Sequence, residues 1–327
     1  MPLPQIHDGE ALLKVEASGI CGSDVMEWYR IKKAPLVLGH EVAGTIEAVG
    51  KGVKDLRKGD RVTVAHHVPC NACRYCLAGN HSVCDTLRKT NLDPGGFAEF
   101  ARVPAINVER GVLRLPDSMS FEEGSFSEPL GCVVRGFRVS GFGPGKTVLV
   151  AGSGISGALH IKLARALGAG AIFATDINDF RLDMAKGFGA DYTINGKHNI
   201  PSIIKERNNG RLADFVAICT AADRAIEQAL SSVERGGTVL FFAPKEQGQT
   251  CPMPLFDLWR DNITITNTYA SCHIDTEIDL GLIERERVRV SDMVTHRLTL
   301  DQTRLGFSLV AGAGESLKVI IEPNRKG

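Results

Sequence analysis

The 327 residues carry 38 basic and 38 acidic side chains, hence no net charge, and are 43% hydrophobic and 23% charged. That composition suits a globular chain long enough for two cores. With 6% aromatics and no basic block, it argues against nucleic acid or a membrane surface as partner. No run approaches the roughly 18 apolar residues of a spanning helix. Nine cysteines, with no secretory leader ahead of them, point to a reducing cytoplasm rather than a disulfide framework.

Taken in chain order, residues 10–20 (EALLKVEASGI) alternate loosely and predict a strand that delivers Cys21. Residues 41–50 and 60–68 predict two more strands, parted by the glycine-containing turn KGVKDLRKGD. Residues 70–84 then hold Cys70, Cys73, Cys76 and Cys84, spaced C-x2-C-x2-C-x7-C. Four thiolates so close in sequence can close around one ion as a tetrahedral S4 site, which leaves no position for a substrate. This predicts a structural zinc. Residues 95–104 resume the strand pattern.

The character changes near residue 122. EEGSFSEPLGCVVRGFRVS predicts a helix, and Gly141, Gly143, Pro144 and Gly145 break the chain after it. From there short apolar strands (146–152, 171–176, 214–220, 236–243) alternate with helical patterns (156–170, 181–190, 221–233). Alternation at this pace predicts βαβ units on a parallel sheet. The domains are expected at 1–128 and 129–270, with 271–327 returning to the first.

In the second domain TVLVAGSGISG supplies G-x-G-x-x-G as Gly152, Gly154 and Gly157, with Ile155 and Ser156 opening the helix. The motif follows a strand, starts a helix and has an acid, Asp176, at the end of the next strand, which is the context dinucleotide binding requires. Gly152 makes the turn, Gly154 admits a pyrophosphate and Gly157 lets helix and strand approach. Helix N–H groups then face the phosphates. Asp176 would accept from the adenosine ribose hydroxyls and repel a 2′-phosphate, favouring NAD over NADP; Arg181 nearby would weaken that preference.

A second set of metal-type residues is scattered: Cys21 in SGICGSD, His40 and Glu41 in LGHE, and Glu128 in SEPLG. Singly, Cys21 and His40 are a buried thiol and a turn histidine. Together, one thiolate, one imidazole and one carboxylate with a place left for water make a catalytic zinc arrangement. His66, His67, His160, His273 and His296 read as surface, loop or packing histidines. Cys132, Cys219, Cys251 and Cys272 read as small buried side chains.

The motifs GICGSD (19–24), LGHEVAGTIEAVG (38–50), KGDRV (58–62), the cysteine loop, GGFAEF (95–100), SEPL (127–130) and GSGISG (152–157) stand in one order over nearly the whole chain. In that order the sequence resembles the zinc-dependent medium-chain alcohol and polyol dehydrogenases, nearest the branch of sorbitol and L-threonine dehydrogenases. The resemblance implies an α/β architecture with a GroES-like β-rich catalytic domain at both chain ends and a Rossmann-type doubly wound sheet between. It implies one catalytic and one structural zinc per chain, NAD, a small-molecule alcohol substrate and a homodimer or homotetramer. It places Cys21 and His40 on the catalytic zinc, and leaves open whether Glu41 or Glu128 is the direct carboxylate ligand. Asp24 would hold the histidine and Ser23 would take the substrate proton. The implied reaction passes hydride from a secondary alcohol, polyol or sugar-like, to NAD. L-threonine 3-dehydrogenase activity would use the same apparatus. Zinc-free reduction of activated double bonds is opposed by Cys21, His40 and Glu128. A non-enzymatic relative of the fold would lack NADH binding.

The pattern breaks in two places. Relatives commonly read CGSDxH, where the histidine passes the proton on; this chain reads CGSDVM, with Met26 at that place. Relatives also have about twenty more residues ahead of the stretch matching DGEALLKVEASG; their loss would leave a sheet edge or apolar face uncovered, and a misassigned start explains the short beginning equally well.

Overall fold

The alternating residues after Glu10 form strand β1 (Ala11–Gly19), whose apolar side chains are buried along its length. Around it the computed structural model, which describes residues 1–325, builds an antiparallel sheet from β2 (Glu41–Val49), β3 (Arg61–Ala65), β4 (Phe100–Val103) and β5 (Val112–Arg114). The strand expected over 95–104 is shortened because Gly95 (φ +144°) and Gly96 serve close packing instead. A side chain at Gly95 would strike the Val37 carbonyl, and one at Gly96 would strike Val42 and Ser18. Residues 105–114, where no element was expected, form the helix Ala105–Gly111 and β5.

Register decides what meets at the end of this sheet. Gly19 pairs with Glu41, and Glu41 pairs with Ala65. The residues just beyond these ends, Cys21, His40 and His66, therefore emerge side by side. The core beneath, including Leu13, Val15, Ile46, Val62 and Val64, is sealed from water. Each such aliphatic side chain contributes about 1.5–3 kcal/mol on burial.

The first unit comprises Met1–Cys132 and the chain from Ala270 onward. Its later part contributes the helices His273–Glu284 and Thr303–Gly312 and two further strands. These are β12 (Val294–Thr299) and β13 (Lys318–Glu322) in the numbering that continues through the second unit. β13 runs antiparallel to β1 with Gly19 opposite Ile320, and parallel to β12. Lys318, at the start of β13, thus enters the same end of the sheet as Cys21.

The second unit, Val133–Tyr269, is a wholly parallel six-stranded sheet. Its strands are β6 (Thr147–Ala151), β7 (Ala171–Asp176), β8 (Tyr192–Asn195), β9 (Ala213–Ile218), β10 (Val233–Phe241) and β11 (Thr264–Asn267). They lie in the order β11-β10-β9-β6-β7-β8. β6 is buried throughout, as a strand covered on both faces must be. β8 and the helix Ile200–Arg207 were not foreseen. β8 (YTIN) is a short strand, and the helix is started by Asn199, whose side chain accepts from Ser202 N, with Pro201 in the first turn.

Candidate metal and cofactor sites

The cysteine loop folds on itself as its spacing requires. Asn71 takes a left-handed conformation (φ 57°) that turns the chain after Cys70. The four sulfurs all lie within 4.8 Å of one another, with Cys73–Cys76 at 3.5 Å and Cys70–Cys76 at 4.0 Å. A tetrahedron with Zn–S bonds near 2.3 Å has edges of about 3.8 Å. Backbone N–H groups of Ala72 and Cys73 donate to the Cys70 sulfur, and Cys70 N donates to the Cys84 sulfur. At Cys84 burial pushes the thiol up, but N–H donors of Cys70, Leu87 and Thr86 outweigh it and bring the pKa to about 6. This set fits a closed structural zinc, and leaves no place for a substrate.

At the end of the first unit's sheet a second donor group gathers. Cys21 Sγ, a His40 nitrogen and a Glu41 carboxylate oxygen lie within 4.8 Å of one another, a grouping compatible with a zinc tetrahedron whose edges are about 3.4–3.8 Å. The short turn Gly22–Val25 fixes the first of them. Ser23 N donates to Cys21 Sγ (3.4 Å), and Cys21 N donates to Asp24 Oδ2 (3.1 Å). The other Asp24 oxygen lies 3.3 Å from His40 Nδ1, so Nε2 is left for a metal. Burial opposes charge on His40, but the charge and hydrogen bond of Asp24, then Cys21, outweigh it and hold its pKa well above the usual range.

Glu41 is 1% exposed and its carboxylate is paired with Lys318, itself wholly buried. Lys318 Nζ also lies 3.4 Å from the Ile20 carbonyl and 5.6 Å from the centre of the Phe126 ring. Gly19 makes room for the pair: a Cβ there would overlap both the Glu41 carboxylate and the Lys318 side chain.

Glu128 is not part of this three-donor group. It sits at the start of the helix Ser127–Val139 and accepts from Cys132 Sγ one turn on, at 3.5 Å. Burial raises its pKa, as does Glu41; His40, Cys132 and Lys318 act against the rise. Cys132 is itself pushed well up by burial and by Glu128 and Cys21, so it stays a thiol and can donate. Glu128 lines a cavity with His66, His67, Ser127, Ser271 and Thr276.

Several neighbours escaped sequence reasoning. His66 and His67 are no surface histidines: the His66 ring centre lies 4.8 Å from that of His40 and 3.9 Å from that of His67. Burial pushes both imidazoles down, His67 to about 4. Cys132, taken as filler, touches Glu128. Arg30 donates from NH2 to Ser23 Oγ (2.7 Å) and Asp24 Oδ1 (3.1 Å), and from Nε to the Ser23 carbonyl (3.0 Å). Lys318 is the least foreseeable of these, since 277 residues separate it from Glu41. A lone lysine inside the apolar run SLKVIIEP was the available signal. By contrast His160 does pack, with Nδ1 on the Ser156 carbonyl (2.7 Å).

In the second unit Gly152 has φ +93°, and a Cβ on Gly157 would collide with the Gly152 carbonyl. Gly154 caps the helix Ile155–Ala166, and a Cβ there would meet nothing nearer than Arg181 NH1 at 3.7 Å. The fold does not itself demand glycine at 154; a cradle kept open for an approaching phosphate does. Asp176 turns toward this loop. Its two oxygens accept from Ser153 N (2.8 Å) and Asn178 N (3.0 Å), and Arg181 NH1 lies 3.9 Å away. Arg181 Nε is buried without a hydrogen-bond partner.

Residues 7–117 match the model of the alcohol dehydrogenase GroES-like domain, and residues 157–285 match that of the zinc-binding dehydrogenases. Sorbitol dehydrogenase of Mus musculus is 31% identical over 99% of this chain and 92% of its own length. Alcohol dehydrogenase TADH from Thermus sp. ATN1 superposes with a TM-score of 0.87 at 30% identity, over 98% of this chain and 95% of its own. A protein of Sinorhizobium meliloti 1021 described as a putative zinc-binding dehydrogenase, bound to NADP, superposes at 0.87 with 25% identity, over 99% and 94%.

Proposed function

Since the chain belongs to the zinc-dependent medium-chain dehydrogenase family, we propose that it oxidises a secondary alcohol of the polyol or sugar type, with NAD as hydride acceptor, at the group Cys21–His40–Glu41. The observation that carries this reading is a three-donor set of thiolate, imidazole and carboxylate at the end of one sheet, beside a cavity lined by His66, His67 and Glu128. When bound, zinc supplies a Lewis acid for the alcohol oxygen, and NAD supplies the hydride acceptor.

The chain's own residues supply the rest. Cys21, His40 and Glu41 hold the metal; grouping with the first two favours Glu41 over Glu128 as the carboxylate ligand. Asp24 fixes the His40 tautomer through Nδ1. Lys318 orients Glu41 from behind. Ser23 Oγ takes the substrate's proton, and because Met26 has no titrating group, the proton leaves from there to water. Cys70, Cys73, Cys76 and Cys84 hold the structural zinc.

The choice of NAD rests on Asp176 at the ribose end of the glycine turn; Arg181 beside it moderates that choice, and the NADP-bound relative makes it a point to measure. A homo-oligomer is favoured by the exposed Leu255, Phe256 and Trp259 next to the edge strand β11, where Ile265 is also exposed. Nine free cysteines suit a reducing cytoplasm. No helix among the described residues is long and apolar enough to cross a membrane.

The test is a screen of polyols, amino alcohols and inositols with NAD and NADP, followed by absorbance of the reduced cofactor. Turnover of a polyol by zinc-replete protein, lost in Cys21→Ser, is expected. A zinc-replete protein that binds NADH yet oxidises no alcohol would refute the assignment.

A further inference from the structure

The contacts of Arg30 go beyond what holding a turn together requires. Three of its N–H bonds reach Ser23, which takes the substrate's proton in the proposed reaction, and Asp24, which holds His40. Its NH1 group has no acceptor among the described residues, and the side chain keeps 19% of its surface exposed. Arg30 shares the single carboxylate of Asp24 with His40, so one anion serves two cationic donors. Glu27, the other acid on this segment, forms an ion pair with neither Arg30 nor its neighbours among the described residues.

Positive charge continues along the segment. The Arg30 guanidinium lies 4.9 Å and Lys33 Nζ 5.0 Å from the centre of the Tyr29 ring. Lys32 and Lys33 make no ion pair among the described residues. This side of the site therefore has a surplus of donors and cations, and an arginine fork with two N–H bonds to spare suits planar or tetrahedral anionic oxygens.

We propose that Arg30, backed by Lys33, recognises an anionic oxygen group, carboxylate or phosphate, carried by the alcohol substrate close to the carbon that is oxidised. This names the substrate class of the site already described and rests on its alcohol-oxidising reading. With Ser23 Oγ only 2.7 Å from Arg30 NH2, an alcohol oxygen at Ser23 puts substituents on neighbouring carbons within reach of the free NH1 edge. A neutral alcohol leaves that edge without its anion. Charge-assisted hydrogen bonds are the strong kind, and a polar group left unpaired penalises the analogue that lacks the partner. The expected discrimination is about 10- to 100-fold in kcat/KM.

The experiment compares a sugar alcohol, its terminal phosphate and the matching sugar acid as substrates with NAD, in the wild type, Arg30→Gln, Arg30→Lys and Lys33→Gln. The readout is the ratio of kcat/KM for charged over neutral substrate, since Arg30→Gln will also disturb Ser23 and Asp24 and lower every rate. Calorimetric binding of the charged compounds to the NADH complex, zinc content and thermal unfolding accompany it. Expected are a charged substrate preferred by about tenfold or more, a ratio near one in Arg30→Gln, partial retention in Arg30→Lys and a smaller loss in Lys33→Gln. Whether phosphate or carboxylate is favoured identifies the group.

A neutral polyol preferred by the wild type, or a ratio unchanged by both Arg30→Gln and Lys33→Gln, overturns the proposal. If Arg30→Gln does not fold, Lys33→Gln still decides, because Lys33 is exposed, lies against the Tyr29 ring and makes no ion pair among the described residues. Brisk turnover of neutral polyols without binding of either anion sinks this inference alone. Anion binding that depends on Arg30, with no alcohol oxidised, sinks the proposed reaction and leaves the recognition standing.

Discussion

Replacing Lys318 by methionine separates two roles that Glu41 could have. The Lys318–Glu41 pair is buried on both sides, with side chains 0% and 1% exposed. Removing one partner of such a pair leaves an uncompensated charge and costs about 3–5 kcal/mol, a large part of the roughly 5–15 kcal/mol that holds a domain together. For a unit of this size each kcal/mol lowers the melting temperature by about 2–4 °C, so the loss in metal-depleted protein should be about 6–20 °C. Methionine keeps the packing against Phe126, which confines the effect to charge. If Glu41 binds the catalytic zinc, the metal replaces the lost ammonium as its counter-charge. Zinc-loaded Lys318→Met should then melt within a few degrees of the wild type, and its zinc affinity should rise, because the competing cation is gone. Calorimetric unfolding of both forms, with metal analysis confirming that only the catalytic ion was stripped, reads this directly. An equal loss with and without zinc would show that Glu41 never meets the metal, and would return Glu128 to the ligand position.

Metal content follows the two donor sets. Purified protein should hold two zinc ions per chain, the open Cys21 site yielding its ion to a chelator first. Cys21→Ser should lose one ion and all turnover while keeping its fold; Cys76→Ser should lose the other and with it solubility, as atomic absorption and circular dichroism would register. NAD should be used more efficiently than NADP, and Asp176→Ala should narrow the gap in kcat/KM by removing the ribose acceptor and the charge that repels a 2′-phosphate; equal efficiencies in the wild type would mean that Arg181 already compensates. Met26→His adds a group titrating near pH ~6.5. It should speed alcohol oxidation near neutrality and little in alkali, where hydroxide accepts the proton; a loss of activity that is the same at every pH, with a raised KM, would instead assign Met26 to substrate packing.

What the sequence revealed was local or ordered. The cysteine loop, the glycine turn with Asp176 and the motifs around Cys21 and His40 each carry their chemistry within a few residues, so spacing alone exposes them. The parallel sheet was legible for the same reason, since each βαβ unit repeats a short pattern of apolar strand and amphipathic helix. Short elements such as β8 and β11 were not, because four residues hold too little periodicity to stand out from a loop. The hidden part of the site is the part built by register. Glu41 meets Lys318 only because β1 pairs with β2 on one side and β13 on the other, with Gly19 leaving space where the two side chains pass.

His66 and Arg30 were missed for a related reason. His66 lies just past the end of β3, and Arg30 closes the four-residue helix Glu27–Arg30, too short to show periodicity, so that the turn that follows sets direction at both. A buried lysine costs the fold dearly unless it is paired, so a lysine in an apolar strand implies an acid somewhere near it in space. SLKVIIEP offered that inference, and HEVAG offered the acid, fixed next to a metal ligand by chain adjacency. Neither stretch names the other; only the antiparallel pairing of β1 with both does. If that pairing were to slip by one residue, Lys318 would turn to the opposite face of the sheet and Glu41 would lose its partner. The burial of β13 on both sides, with Val319, Ile320 and Ile321 all at 0% exposure, is what holds the register, and through it the carboxylate that completes the donor set.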